Sequence, residues 1–361
     1  MSQDDGTLRE PRSDAGATDF TAGVFASGRG GDDGGRERPV VPRAEFRSYY
    51  GRPVLKPPVW NWKIAAYLFT GGLSAGAALL AAGADLTGRP VLRRWSRTGS
   101  SAALMASMYL LVADLGRPER FHHMLRVAKP SSPMSVGTWI LVAYGPGNVL
   151  AAAADVLPAR VRATLPGRLL RLAARPAGLA SAALAPAVAS YTAVLLSQTA
   201  VPAWHDAHRH LPLLFTGSAA ASGGGLGMLV APVAEAAPAR RLAAAGAAAE
   251  ILTARAIDRR PTLEAGAYTT GRAHRLRRAS EYLTLGGAVA AVTLARRSRP
   301  VAAAAGLALL AGSALQRFGV FEAGVASTRD PAYVVVPQRE RLERRKAAQD
   351  GHPGPARPDG T

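Results

Sequence analysis

Four stretches of this chain each run for more than 20 residues without a single Asp, Glu, Lys or Arg. A helix of about 20 apolar residues is long enough to cross the roughly 30 Å hydrocarbon core of a bilayer. Lipid offers the backbone no hydrogen bonds, and a helix satisfies its own. The sequence therefore predicts an all-α integral membrane protein. The uncharged stretches are residues 64–84, 130–154, 176–205 and 210–234.

Eight candidate spans follow from the hydropathy of the whole chain. The first, third, fourth, fifth and eighth are strongly apolar, whereas the second, sixth and seventh have shorter uncharged stretches and Glu250 interrupts the sixth. Gly and Ala are frequent in all of them, and small residues let helices approach closely within lipid. We therefore expect eight transmembrane helices in a compact bundle, at 61–83, 97–115, 136–156, 177–200, 211–233, 240–257, 280–296 and 300–320.

Both ends of the chain are polar. Residues 1–45 are rich in Gly, Asp, Arg and Ser and hold too little apolar surface to offset the entropy lost on ordering. We expect a disordered N-terminal tail there and a membrane domain at 46–337. Residues 338–361 are expected to form a solvated C-terminal tail with a short helical start.

The formal net charge of +19 raises the question of nucleic acid binding. The Arg residues, however, lie in short clusters between apolar runs, where anionic lipid head groups and membrane orientation account for them. Short connections on the side that carries both termini hold 19 Lys and Arg, against 14 on the other side. We therefore expect a multi-pass protein of the inner or plasma membrane with both termini in the cytoplasm, and no nucleic acid partner.

The chain has no cysteine, which excludes cysteine-held iron–sulfur clusters, thiolate zinc sites and disulfides within it. Haem b in a membrane protein usually sits between histidines that face each other from within helices. All seven histidines here fall in predicted connections or in the C-terminal tail. We therefore expect neither haem nor a metal site.

Glu250, near the centre of the sixth candidate span, is the most unusual ionisable residue. A charged group inside the membrane is costly, so it faces another helix or water and is a functional candidate. Two interpretations remain open. Glu250 either handles protons or forms a structural ion pair with Arg255 or Arg317.

Six segments occur in an order and spacing that resemble the NrfD/PsrC family of membrane-anchor subunits. Each is weak alone, but together they extend over nearly the whole apolar part of the chain. They are YYGRPVLKPPVW (49–60), YLFTGGLSAG (67–76), DLGRPERFHHMLRVAKPSSPMSVGTWIL (114–141), YTAVLLSQTAVPAW (191–204), RFGVFEAG (317–324) and DPAYVVVPQRER (330–341).

The resemblance implies eight helices arranged as two four-helix bundles, without haem. It also implies a quinone site, taken as a menaquinone site, that faces a ferredoxin-like iron–sulfur subunit. That subunit would serve a molybdopterin oxidoreductase, so this protein would be part of a respiratory enzyme and not catalytic alone.

By the same resemblance, Tyr191 in Tyr191-Thr192-Ala193 occupies a motif that usually reads Tyr-Thr-Gly, and its hydroxyl is expected to bond a quinone carbonyl. The alternative is a core tyrosine bonded to a carbonyl of a neighbouring helix. Asn61 and Tyr67 of the first span are the further cofactor-binding candidates. Asn61 can instead be a simple interfacial anchor next to two tryptophans.

Quinone reduction also needs protons, which a carboxylate or an imidazole can deliver. Asp114 is the best-placed acid, and His122 and His123 are candidates for a relay nearby. The histidines can instead be solvated loop residues or contacts to a partner subunit.

Two other classes of protein remain open. A secondary transporter would use Gly-rich broken helices and Glu250 as a substrate site, and it would work without redox partners. A purely structural anchor would use Tyr191 and Asn61 only for packing.

Overall fold

The computed structural model describes residues 54–350, and this part of the chain is built of helices without a strand. The predicted disordered tail at 1–45 lies outside the described residues. Nine helices of 19 to 33 residues account for most of the described residues, and we number them α1 to α9. They are α1 Trp62–Leu86, α2 Pro90–Ala113, α3 Pro133–Val156, α4 Leu165–Ser197, α5 Leu211–Val230, α6 Ala237–Asp258, α7 Gly271–Val292, α8 Arg299–Arg329 and α9 Ala332–Asp350.

Helices α1, α3, α4, α5 and α8 are long and apolar enough to cross a membrane. These are the five spans that the sequence predicted as strong, and that prediction is confirmed. Helix α2 and the 3-10 helix Pro118–Leu125 bend by 108° relative to each other and make a sixth span if they are counted as one. Long helices also form at the weaker sixth and seventh candidates, as α6 and α7.

Helix α4 begins at Leu165, twelve residues before the predicted start of the fourth span. The side chain of Thr164 caps it by accepting a hydrogen bond from the backbone N–H of Gly167 at 3.3 Å. The early turns carry several Arg residues, so hydropathy does not detect them although they are helical. Hydropathy indicates which part of a helix is apolar enough to lie in lipid, whereas a capping residue such as Thr164 indicates where the helix itself begins.

We refer to α1 to α4 as the first helix group and to α5 to α8 as the second. Contact between them is most extensive where α1 packs against α5. A Cβ atom on Gly76 of α1 would overlap the backbone carbonyl of Ala219 on α5, and a Cβ on Gly223 would overlap the backbone of Gly76. Two backbones are therefore in direct contact at this crossing. Small residues make such an approach possible in lipid, where burial of apolar surface alone does not draw helices together.

We call the end of the helices where α1 begins the proximal end and the end where α1 finishes the distal end. Helices α2, α4, α6 and α8 finish at the proximal end. Helix α9 follows α8 in the chain, and the side chains of residues 338–348 in α9 are exposed.

An ion-pair network joins α1, α2, α3 and α4 at the distal end. Arg97 of α2 lies 3.2 Å from the carboxylate of Asp155 and 3.8 Å from that of Asp85, and its side chain is only 7% exposed. Arg93 contacts the same two carboxylates at 3.4 and 3.2 Å, and Arg175 of α4 contacts Asp85 at 3.1 Å. The network links α1, α2, α3 and α4 to one another near the distal end.

Candidate functional site

The hydroxyl groups of Tyr67 on α1 and Tyr191 on α4 form a hydrogen bond with each other. The two residues are 124 positions apart in the chain, and both are buried, at 3% and 9% exposure. The structure therefore brings together two of the three predicted cofactor-binding residues. Among the described residues, the Tyr191 hydroxyl bonds the Tyr67 side chain and no carbonyl of a neighbouring helix.

Two phenol hydroxyls that share one hydrogen bond use only one of their two protons. The remaining proton of the Tyr67 and Tyr191 pair has no acceptor among residues 54–350. A buried donor without a partner is costly. The pair therefore has the chemistry to donate a hydrogen bond to a carbonyl oxygen of a ligand.

Gly137 of α3 makes room for the Tyr191 ring. A Cβ atom on Gly137 would lie 2.6 Å from two carbon atoms of that ring, too close for any side chain. The third span contains several glycines, and sequence reasoning did not select this one because it does not reveal which glycine faces a neighbouring ring.

A polar cluster lies at the proximal end, about 9 Å along α1 from Tyr67 for a rise of about 1.5 Å per residue. The side chain of Asn61 caps α1 by accepting a hydrogen bond from the backbone N–H of Lys63 at 2.8 Å. The Lys63 ammonium group donates to the carbonyl of Ala113 at 2.9 Å, next to Asp114. Asn61, Lys63 and Asp114 thus meet where α1 begins and α2 ends.

Burial raises the pKa of the Asp114 carboxyl, while the charge of Lys63 and a hydrogen bond from Asn61 act in the opposite direction. The net shift is upward, so Asp114 keeps its proton to a higher pH than an ordinary aspartate. That property suits a group that exchanges protons. Lys63, which sequence reasoning did not select, is the charge that faces it.

His122 and His123 lie in the 3-10 helix Pro118–Leu125, which has no buried residue. Their rings meet edge to face at 4.5 Å, and both side chains are exposed. No hydrogen bond within the described part of the protein joins either histidine to Asp114. The structure therefore places the predicted relay residues on the surface of the proximal end, apart from the acid.

Tryptophans anchor the segment before α1. Trp60 stacks on Trp204 with ring centroids 5.8 Å apart, and the Trp204 indole N–H donates to the carbonyl of Val320 at 2.8 Å. Gly324 of α8 leaves space for the Trp204 ring, which a Cβ would overlap. Trp62 is 62% exposed. Asn61 therefore lies between one partly buried and one exposed aromatic anchor.

Glu250 of α6 is buried at 2% exposure, within the second helix group. Neither predicted ion pair forms among the described residues. Arg255 instead pairs with Glu281 at 2.7 Å, and the Arg317 guanidinium donates to the carbonyl of Phe215 at 2.7 Å. The Glu250 carboxylate accepts hydrogen bonds from hydroxyl groups of α7.

These features define a helical, cysteine-free, multi-pass membrane protein with a buried tyrosine pair near one end. A family model described as polysulphide reductase, NrfD, matches residues 54–254, which hold α1 to α5, most of α6 and both tyrosines. The chain belongs to this NrfD family.

A curated relative agrees with this assignment. The protein is 34% identical over 188 residues to the C subunit of polysulfide reductase from Wolinella succinogenes. The match covers 46% of this protein and 56% of that subunit, so the similarity spans little more than half the length of the relative.

Proposed function

We propose that this protein is a haem-free membrane-anchor subunit of a respiratory oxidoreductase complex and that it binds a quinone between Tyr67, Tyr191 and Asn61. The observation that carries the proposal is the buried tyrosine pair with one unused hydroxyl proton, in a member of the NrfD family. The name of the relative, which is the C subunit of polysulfide reductase, supports a role as one subunit of a larger reductase.

The donor set fits a quinone, because a quinone carbonyl is an acceptor and the tyrosine pair offers a donor. A bound quinone supplies the chemistry of two electrons and two protons. Tyr67 and Tyr191 hold and orient the carbonyl from inside the first helix group. Asp114, with Asn61 and Lys63 beside it, holds a proton at the proximal end. His122 is exposed at the same end and is proposed to exchange protons with solvent, without a direct bond to Asp114.

The electrons are proposed to come from or go to a ferredoxin-like iron–sulfur subunit that docks at the proximal end and serves a molybdopterin enzyme. The menaquinone identity of the quinone belongs to the same proposal. Purification of the tagged protein from its native membranes is expected to retain a cysteine-rich partner and to show no haem absorbance. A protein that purifies alone and transfers no electrons to quinone would favour the transporter interpretation.

Tyr191→Phe is expected to leave the complex assembled while electron transfer to quinone falls about tenfold, the effect of one lost neutral hydrogen bond of about 1.4 kcal/mol. Binding of a quinone analogue to the purified complex should weaken by the same factor. Tyr109→Phe is the matched control, because Tyr109 is 73% exposed on α2. Lower thermal stability with unchanged turnover per assembled complex would show that Tyr191 only packs.

We further propose that α1 to α8 all cross the membrane, as two four-helix bundles, with both termini in the cytoplasm. Eight crossings return the protein to its starting side, and the Lys and Arg count favours the cytoplasm for that side. Reporter fusions at residue 20 and at residue 348 should therefore both give the cytoplasmic signal. Opposite signals would contradict the eight crossings, and two external signals would reverse the orientation.

A further inference from the structure

The second helix group contains a buried polar centre that is separate from the tyrosine pair. The Oε1 atom of Glu250 accepts hydrogen bonds from the hydroxyls of Ser280 and Thr284 on α7, at 3.4 and 3.3 Å. Its Oε2 atom is fully buried and has no hydrogen-bond partner among the described residues. Leaving such an oxygen without a partner is costly. The Ser218 hydroxyl of α5 faces this carboxyl but is also bonded to Ser313 at 2.7 Å, so Oε2 retains capacity for a further donor.

A polar pocket connects this oxygen with the proximal surface. Its inner part is lined by buried Glu250 and Gln316, and its outer part by exposed Asp258 and His274, with Ala254 between them. Four further charged residues also line it: Arg255, Arg277, Arg278 and Glu281. The cavity volume is about 20 Å³, which is room for about one water molecule. The pocket has polar lining residues and the size of one water molecule, which are the properties of a buried site that holds water.

The pocket contains a second atom that needs a partner. The Nε2 atom of Gln316 on α8 is buried and has no acceptor among residues 54–350. A donor and an acceptor that both lack partners, in one water-sized pocket, are complementary to a single water molecule. That water accepts from Gln316 and donates to Glu250 Oε2.

Arg317, one residue further along α8, supplies a positive charge to the same centre. Its guanidinium lies over the Phe215 ring at 3.6 Å and is 1% exposed, and no carboxylate lies within 4 Å of it among the described residues. Two hydroxyl donors and this nearby charge favour the ionised form of Glu250, while burial in apolar surroundings favours the neutral acid. These influences act on the protonation of Glu250 in opposite directions.

We propose that Glu250 is a proton-binding site of the second helix group, loaded through water in the pocket that opens at the proximal end. A hydronium ion in the pocket transfers a proton to the Oε2 atom of the carboxylate and remains as water, and the reverse step releases the proton. No electron is exchanged. The site does not depend on a quinone, so it can be tested independently of the function proposed above.

Carbodiimide labelling tests the protonated state of this carboxyl, because dicyclohexylcarbodiimide attaches to protonated carboxyl groups in apolar surroundings. In the purified full-length protein, Glu250 should be labelled, and peptide mass spectrometry should show the labelling fall as the pH rises. Glu322, which pairs with Arg272 at 3.5 Å, should stay unlabelled. A label on Glu250 that does not change between low and high pH would overturn the proposal. If no label is found, the infrared titration below decides, because the reagent is much larger than the water-sized pocket.

Ala254→Leu tests the route, because the larger side chain fills the pocket between its surface and Glu250. Deuterium exchange of the Glu250 carboxyl, followed by its infrared band, should then slow markedly, whereas Ala248→Leu, which faces outward on the same helix, should leave the exchange unchanged. Unchanged exchange in Ala254→Leu would contradict access through this pocket.

Infrared spectroscopy of the unmodified protein keeps the proposal testable if Ala254→Leu does not fold. The wild-type protein should show a carboxylic-acid band that titrates with pH, and Glu250→Gln should lack it. Identical spectra for the two proteins would mean that Glu250 does not change its protonation state and acts only as a hydrogen-bond acceptor.

Discussion

Arg97→Met is expected to destabilise the folded protein by about 3–5 kcal/mol, the usual cost of removing one partner from a buried ion pair. Arg97 is 7% exposed and neutralises Asp85 and Asp155, whose side chains are 7% and 12% exposed. Without it, the two carboxylates depend on the partly exposed Arg93 and, for Asp85, on the exposed Arg175. The measurement is a denaturation curve of the full-length protein in detergent, followed by circular dichroism.

Two variants sharpen this prediction. Arg94→Met is the control, because Arg94 is exposed on the same helix and contacts Trp95 but no carboxylate. Adding Asp155→Asn to Arg97→Met should restore part of the stability, since it removes one of the unpaired charges. If Arg97→Met unfolds at the same denaturant concentration as the wild type, the network behaves like a solvated surface cluster.

Gly76→Ala is expected to destabilise the protein by about 3 kcal/mol, at the upper end for overpacking a core. The added methyl group would overlap the backbone carbonyl of Ala219. This carbonyl is fixed within helix α5 and cannot rotate away as a side chain could. Helices α1 and α5 then have to separate, and contact between the two helix groups is lost. The readouts are the unfolding free energy in detergent and the fraction of the protein that inserts and purifies as a monodisperse species.

Gly83→Ala is the matched control on the same helix. No atom lies within 4 Å of the position that its Cβ would take, so the change should be neutral or stabilise the helix by about 0.5–1 kcal/mol. The contrast between the two substitutions isolates the helix crossing from helix propensity. Equal stability of Gly76→Ala and Gly83→Ala would show that α1 and α5 are not in tight contact.

The order of the helices and the strength of the membrane signal could be predicted from the sequence. Hydropathy identified the five helices that are long and apolar enough to span a bilayer, and it placed their centres well. It placed the start of α4 twelve residues late, because Arg-rich helical turns carry no hydropathy signal. It predicted weaker spans at α2, α6 and α7. In the structure, α2 is apolar and long enough to count as a span only together with the 3-10 helix Pro118–Leu125, and α6 and α7 do not meet the same criteria.

The candidate site could be predicted only in part. Tyr191, Tyr67, Asn61 and Asp114 were selected from motifs, and the structure brings them together as one tyrosine pair and one polar cluster on α1. Lys63 was missed because a lysine at a span end is ordinary in a membrane protein. One of the two interpretations of Glu250 was an ion pair with Arg255 or Arg317. That pair does not form among the described residues, and Arg255 pairs with Glu281 instead.

The sequence by itself determined the five strongly apolar helices, because within lipid each segment has to satisfy its own backbone hydrogen bonds. Only the tertiary structure decided which side chains meet. A helix presents a different face for each rotation about its axis, and small-residue contacts such as that of Gly76 with α5 set this rotation. The contact of Tyr67 with Tyr191 across 124 residues, and the unpartnered oxygen of Glu250 in its pocket, both depend on rotations that no local stretch of sequence encodes.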